Sequence, residues 1–144
     1  MKYEVEIDIN LPREKVIELM DNEENLYKWQ EGLKSFEHKS GTPGQEGAVS
    51  DLVFETKKRK IEMTETITKR NFPDEFWAVY EAKGVWNEVK NTFIVTSPNT
   101  TKWKSQNEFK CKGAIAVMAF LMPSAFKKQS LKYMTDFKNF AEIQ

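Results

Sequence analysis

The sequence predicts an α+β fold, in which a curved antiparallel sheet of seven strands surrounds a long C-terminal helix and two short helices lie between strands 1 and 2. Strand-like segments separated by turn signals follow one another from Phe36 to Lys110, and an apolar-faced helical pattern then runs from Cys111 to Gln144. Short connections between consecutive strands favour an antiparallel meander. The length suits a single domain over residues 1–144.

The N-terminal elements are visible in the residue periodicity. Apolar and polar residues alternate over residues 2–9, which is typical of a half-buried strand. Pro12 suits the first turn of a helix. A second short helix is expected over Glu23–Gln30, with Gly32 ending it.

Six further strands are expected, separated by turns rich in glycine, proline, asparagine or lysine. Their expected bounds are Lys34–Ser40, Ala48–Glu55, Arg59–Thr68, Glu75–Ala82, Val85–Val95 and Thr101–Lys110. The glycine-rich segment Gly41–Gly47 has no lysine followed by serine or threonine, and no helix is expected after it. It is therefore interpreted as a hairpin turn rather than a phosphate-binding loop.

The C-terminal helix has one apolar stripe. At about 100° per residue, one face carries Phe126, Ser130, Tyr133, Phe137, Phe140 and Ala141. Because proline lacks a backbone donor, a kink or a new start is expected at Pro123. Ala114–Met122 is apolar nearly all round, so we expect this stretch to be buried or to cover an opening.

Composition excludes several classes of protein. Lysine plus arginine equals aspartate plus glutamate at 22 each, a balance that argues against broad nucleic-acid binding. A single cysteine, Cys111, excludes an internal disulfide and fits the cytoplasm. The N-terminus resembles no signal peptide, and no apolar run is long enough for stable membrane insertion. With His38 as the only histidine, no metal site or cofactor is expected, and monomer or dimer is left open.

Strand alternation also predicts which side chains face the interior. The inward set contains the polar residues His38, Glu65, Asn87, Asn91, Ser105 and Asn107. Buried polar groups are costly without partners, so these groups must pair with one another or be satisfied by water or a ligand. The alternative is a β-bulge, which would return some of them to solvent.

A mostly apolar wall with a few polar groups is typical of a small-molecule pocket. The polar end of a ligand is expected at Asn87, Asn91, Asn107 or Glu65. The full set of predicted ligand-binding residues is Phe36, Met63, Glu65, Tyr80, Asn87, Val89, Asn91, Phe93, Trp103, Ser105, Asn107, Met118, Met122 and Phe126.

Four short motifs follow one another along the chain: Pro12 with Val16, Trp29 before the second strand, the glycine-rich turn Gly41–Gly47, and Met134–Glu142 near the C-terminus. They resemble, in that order, the opening of the first helix, the tryptophan, the glycine-rich turn and the closing helix of the START-like superfamily, which is also described as SRPBCC or Bet v 1-like. The resemblance implies the helix-grip fold of plant pathogenesis-related allergens, polyketide cyclases and lipid-transfer domains, with a cavity between sheet and helix. It does not imply one function.

Three functional hypotheses follow. The leading one is binding, with transport as an extension, of an apolar or amphipathic small molecule or lipid. The second is a cyclase- or hydratase-like enzyme in which His38 and Glu65 act as general acid and base. The third is an interaction module resembling Hsp90 activator domains, for which outward-facing Trp77 and Trp86 would form the contact.

Overall fold

Each predicted strand and helix is present in the computed structural model, which describes all 144 residues. The helices are α1 (Arg13–Met20), α2 (Glu23–Trp29), α3 (Ala114–Leu121) and α4 (Pro123–Ala141). The strands are β1 (Lys2–Ile9), β2 (Leu33–Ser40), β3 (Val49–Glu55), β4 (Lys60–Asn71), β5 (Glu75–Ala82), β6 (Val85–Ser97) and β7 (Thr100–Cys111). The largest difference in a strand boundary is at the end of β4, which continues to Asn71 rather than ending at Thr68.

All seven strands lie in one antiparallel sheet with the order β1-β7-β6-β5-β4-β3-β2. From β2 to β7 every neighbour in the sheet is also the neighbour in sequence, and β1 pairs with β7. The predicted meander and the α+β helix-grip class are therefore confirmed.

A β-bulge interrupts β4 between Ile67 and Lys69. The register before it is regular, with Glu65 opposite Tyr80 and Met63 opposite Ala82. Because a bulge changes the facing of residues only beyond it, Glu65 keeps its predicted inward orientation.

The main core lies against β1, β6 and β7. Its ten buried residues are Val5, Ile9, Val16, Leu19, Trp29, Phe93, Trp103, Met134, Phe137 and Ala141. None of them belongs to β2, β3, β4 or β5, and only 22 of the 144 residues are buried. The four strands carry separate buried residues, Leu33, Ser50, Leu52, Ile67, Ala78 and Val79, which are not part of that cluster.

Helix α4 begins afresh at Pro123, as predicted, with Met122 between the two C-terminal helices. It packs mainly on β1 and α2, and it buries Met134, Phe137 and Ala141. The predicted apolar stripe is thus the packed side, although Tyr133 on it keeps 37% of its surface exposed.

Helix α3 differs from one of its two expected placements. None of its residues is buried, and Phe120 and Leu121 are 84% and 68% exposed. Burial of this segment is excluded because no element packs over its outer side. Covering an opening remains a proposal.

Candidate functional site

Strand register brings five inward side chains into one row across the sheet. Asn87 lies opposite Tyr80, Tyr80 opposite Glu65, Glu65 opposite Ser50, and Ser50 opposite His38. Directly paired residues on antiparallel strands share a face, so the row extends from β6 to the edge strand β2. This row contains the groups with the most distinctive chemistry.

Glu65 and Tyr80 form the centre of the row. The Tyr80 hydroxyl donates a hydrogen bond to Glu65 Oε2 over 2.8 Å, and the carboxylate makes no salt bridge. Burial raises the pKa of the Glu65 carboxyl, and the hydrogen bond from Tyr80 opposes this with a smaller lowering. Burial, followed by the charge of Glu65, raises the pKa of Tyr80 well above its ordinary value. The pair therefore combines a phenol that stays neutral with a carboxyl that binds its proton more tightly than usual.

Tyr133 faces this pair from helix α4. Burial, and then the negative charge of Glu65, raises the pKa of the Tyr133 phenol. Its hydroxyl accepts a hydrogen bond from Gln30 Nε2 over 3.2 Å, and its ring packs edge-on against Trp29 at 4.6 Å between centroids. Tyr133 keeps 37% of its surface exposed, so the residue is only partly covered by its neighbours.

Tyr133 and Gln30 were not among the predicted ligand-binding residues. The available signal was a hydroxyl on the otherwise mostly apolar stripe of α4, at a position that points toward the sheet. The sequence contained no such signal for Gln30, because its burial depends on how α2 ends beneath α4.

His38 lies away from the Glu65–Tyr80 pair. It shares the row, but Ser50 lies between it and Glu65, and two strand spacings amount to about 10 Å. The His38 side chain is exposed on the edge strand and makes no hydrogen bond to Glu65. The structure thus does not form the predicted His38–Glu65 dyad, because the hydrogen-bond partner of Glu65 is Tyr80.

The inward polar residues of β6 and β7 are satisfied by one another. Asn107 Nδ2 donates to Ser105 Oγ at 2.9 Å, and Asn87 Nδ2 donates to Glu108 O at 3.1 Å. Trp103 Nε1 donates to Asn91 Oδ1 at 2.9 Å. Of the two outcomes expected for these groups, pairing within the protein is the one observed.

Four predicted ligand-binding residues belong to packed regions. Phe93 and Trp103 are 1% and 2% exposed, and Ser105 and Asn107 are also buried. They have almost no surface left for a ligand, because the core side of the sheet is filled by α1, α2 and α4. The predicted residues that keep accessible surface are Phe36, Met63, Glu65, Tyr80, Asn87, Val89, Asn91 and Phe126, together with Met118 and Met122 next to Pro123.

The outer face of the sheet carries Trp77 and Trp86, as predicted. Lys69 and Lys90 each place an ammonium 4.5 Å from the centre of the Trp77 ring, and Lys110 lies 4.6 Å from that of Trp86. Both rings are half-buried beneath these lysines. These cation–π contacts stabilise both rings on the outer face within one chain.

Two open surface grooves lie elsewhere. One, of about 310 Å³, is lined by Lys2, Tyr3, Glu4, Glu88, Lys90, Gln106, Asn107 and Glu108. The other is lined by Asn22, Glu23, Glu24 and Tyr27. Neither includes Glu65, Tyr80 or Tyr133, and their mostly polar linings do not suit an apolar ligand. No three histidine, cysteine, aspartate or glutamate side chains are placed to hold a metal ion.

No family model and no curated protein matches the sequence. Among solved structures, the chain is similar to Ara h 8.0201, with a TM-score of 0.82, 15% identity and coverage of 100% of this chain and 99% of that one. The ZhuI aromatase/cyclase from Streptomyces sp. R1128 gives a TM-score of 0.80 and 11% identity, with coverage of 99% and 93%.

Norcoclaurine synthase from Thalictrum flavum, in complex with dopamine and hydroxybenzaldehyde, gives a TM-score of 0.73 and 14% identity, covering 96% of this chain and 83% of that one. These similarities extend over nearly the whole chain, while the identities are too low to transfer an activity. The chain therefore has the same helix-grip fold as these proteins.

Proposed function

We propose that this protein binds, and by extension carries, an apolar or amphipathic small molecule between the sheet and helix α4. The observation that carries the proposal is Tyr133, which contacts Gln30, Trp29 and Trp103 yet keeps 37% of its residue surface accessible. Glu65 and Tyr80 face it and are also incompletely covered. Such a partly filled interior with few polar groups suits a ligand that is mostly apolar.

The ligand would contact both kinds of surface. Its apolar body would lie on Met63, Val89 and Phe126, which are half-buried side chains of β4, β6 and α4. Its polar end would meet Glu65 and Tyr80. The complex of norcoclaurine synthase with dopamine and hydroxybenzaldehyde supports this class of ligand, because that protein of the same fold binds two aromatic molecules with polar substituents. A cytoplasmic location is part of the proposal and is supported by the free thiol of Cys111.

Native mass spectrometry of the purified protein, together with binding of the dye 1-anilinonaphthalene-8-sulfonate, tests the proposal. Val89→Trp would fill the interior and is expected to lower dye affinity at least tenfold. Ile94→Trp on the same strand is the matched control, since Ile94 is 37% exposed on the outer face and should leave binding unchanged. Equal affinity of the wild type and both variants, with no molecule retained in the mass spectrum, would rule the interior site out.

Acid–base chemistry at Glu65 is the second candidate function. It is favoured by the raised pKa of this carboxyl and by its hydrogen bond to a neutral phenol, which could hold a proton close to a bound substrate. The partner of Glu65 would then be Tyr80 in place of His38. If an activity is found, Glu65→Gln should abolish it and His38→Ala should not.

A further inference from the structure

We propose that α3 and the lysines beside it form a docking surface for an anionic lipid bilayer. This α3 surface consists of Val117, Phe120, Leu121 and Met122 with Lys112, Lys127 and Lys128. Apart from Met122, which is also a predicted ligand-binding residue, it consists of residues outside the interior site and can be tested separately from it.

The apolar part of the α3 surface is unusually open. Phe120 is 84% exposed, Leu121 68%, Met122 58% and Val117 57%. Four large apolar side chains clustered within six residues differ from the scattered exposed apolar residues of ordinary surfaces. No polar side chain interrupts Ala114–Met122, so no side chain of this segment can form a hydrogen bond with water.

The charged residues that flank the helix in the sequence all have one sign. From Phe109 to Thr135 the chain contains five lysines, Lys110, Lys112, Lys127, Lys128 and Lys132, and no aspartate or glutamate. Lys110 and Lys132 pair with acidic residues outside this stretch, whereas the other three make no salt bridge. In a chain with 22 acidic residues, this gap places unpaired lysines on both sides of the apolar segment along the chain. Anionic headgroups and the acyl chains beneath them complement both parts.

A bilayer fits this surface better than a second copy of the chain does. A two-fold dimer would bring the same patch, with its unpaired lysines, against itself, and like charges would face one another. Helix α3 has only eight residues, about 12 Å of helix, and no helix of the protein has the length and hydropathy to cross a membrane. The contact would therefore be interfacial and reversible, with the helix lying in the plane of the headgroups.

Vesicle flotation of the full chain tests the proposal. The wild type is expected to bind phosphatidylcholine vesicles containing 30% phosphatidylglycerol, and to bind pure phosphatidylcholine vesicles at least tenfold more weakly. Phe120→Ser with Leu121→Ser should lower partitioning at least tenfold. Lys127→Gln with Lys128→Gln should lower it on the order of tenfold and should reduce its dependence on salt.

The chain offers matched controls for both parts. Ile94→Ser with Val95→Ser removes exposed apolar side chains of β6, and Lys57→Gln with Lys58→Gln removes two lysines of the β3–β4 turn. Neither pair should change partitioning. Light scattering during gel filtration gives the oligomeric state of the wild type and of the Phe120→Ser, Leu121→Ser variant. The proposal is overturned if the protein partitions equally onto vesicles with and without anionic lipid. It is also overturned if only the two control pairs of substitutions lower partitioning. A wild-type dimer that the Phe120 and Leu121 substitutions dissociate would also overturn it.

Discussion

Removal of the Tyr80 hydroxyl should have an effect that depends on pH. In Tyr80→Phe the carboxylate of Glu65 loses the only side-chain hydrogen bond it makes, over 2.8 Å. A hydrogen bond to an ionised group contributes about 1.5–3 kcal/mol, and a neutral one about 0.5–1.5 kcal/mol. We therefore expect the free energy of unfolding to fall by about 2 kcal/mol at pH 8, where Glu65 is more ionised, and by about 1 kcal/mol at pH 4.

The direction in which stability changes with pH follows from the raised pKa of Glu65. Between the ordinary value of 4.5 and the raised value, the folded state holds more protons than the unfolded state, so stability falls as pH rises. Tyr80→Phe removes an interaction that lowers this pKa and should widen that interval. Glu65→Gln removes the titration and should abolish this contribution.

Urea denaturation at pH 4, 6 and 8 measures these effects for the wild type, both variants and their combination. In the Glu65→Gln background, Tyr80→Phe should cost only about 1 kcal/mol at every pH, because the amide oxygen is a neutral acceptor. Tyr27→Phe is the matched control, since the Tyr27 hydroxyl accepts a hydrogen bond from the Phe36 N–H and meets no carboxylate. A cost of Tyr80→Phe that is the same at pH 4 and pH 8, and in both backgrounds, would refute the assignment.

Two further predictions concern stability alone, and urea denaturation measures both. Gly41→Ala should lower the free energy of unfolding by at least about 1 kcal/mol more than Gly47→Ala. Both glycines have positive φ, but a Cβ at Gly41 would lie 2.9 Å from Ala48 Cα, whereas one at Gly47 meets nothing within 4 Å; equal costs would contradict this. Phe137→Ala should lower the free energy of unfolding by about 3–5 kcal/mol, since Phe137 is fully buried. Phe126→Ala should lower it less, because Phe126 is only half-buried. A similar loss in both variants would contradict the assignment of Phe137 to the core.

The strands could be predicted because alternation depends only on local contacts with the two faces of the sheet. Glu75–Ala82 was predicted to the residue, and Glu65 kept its predicted face because the β4 bulge comes after it. The end of β4 could not be predicted, since the same bulge breaks the alternation on which the boundary depended.

The site was predicted only partly, because alternation gives a direction but not a depth. It placed Trp103 and Tyr80 equally inward, yet Trp103 is sealed beneath α4 and Tyr80 is not. Which inward residues are covered depends on how α4 crosses the sheet, and Tyr133 enters the site for the same reason. These contacts join residues far apart in the chain, and no local pattern encodes them.

The location of the unfavourable features supports a binding function. Glu65 is an enclosed carboxyl without a cation, and Phe120 is a large apolar side chain in water. Each lowers stability where a neutral or polar residue would not, and neither belongs to the ten-residue core. Residues that break local rules are expected where function requires them. Since one lies on β4 and the other on α3, ligand binding in the interior and docking on a bilayer can be lost separately, and Val89→Trp should impair the first while leaving vesicle binding intact.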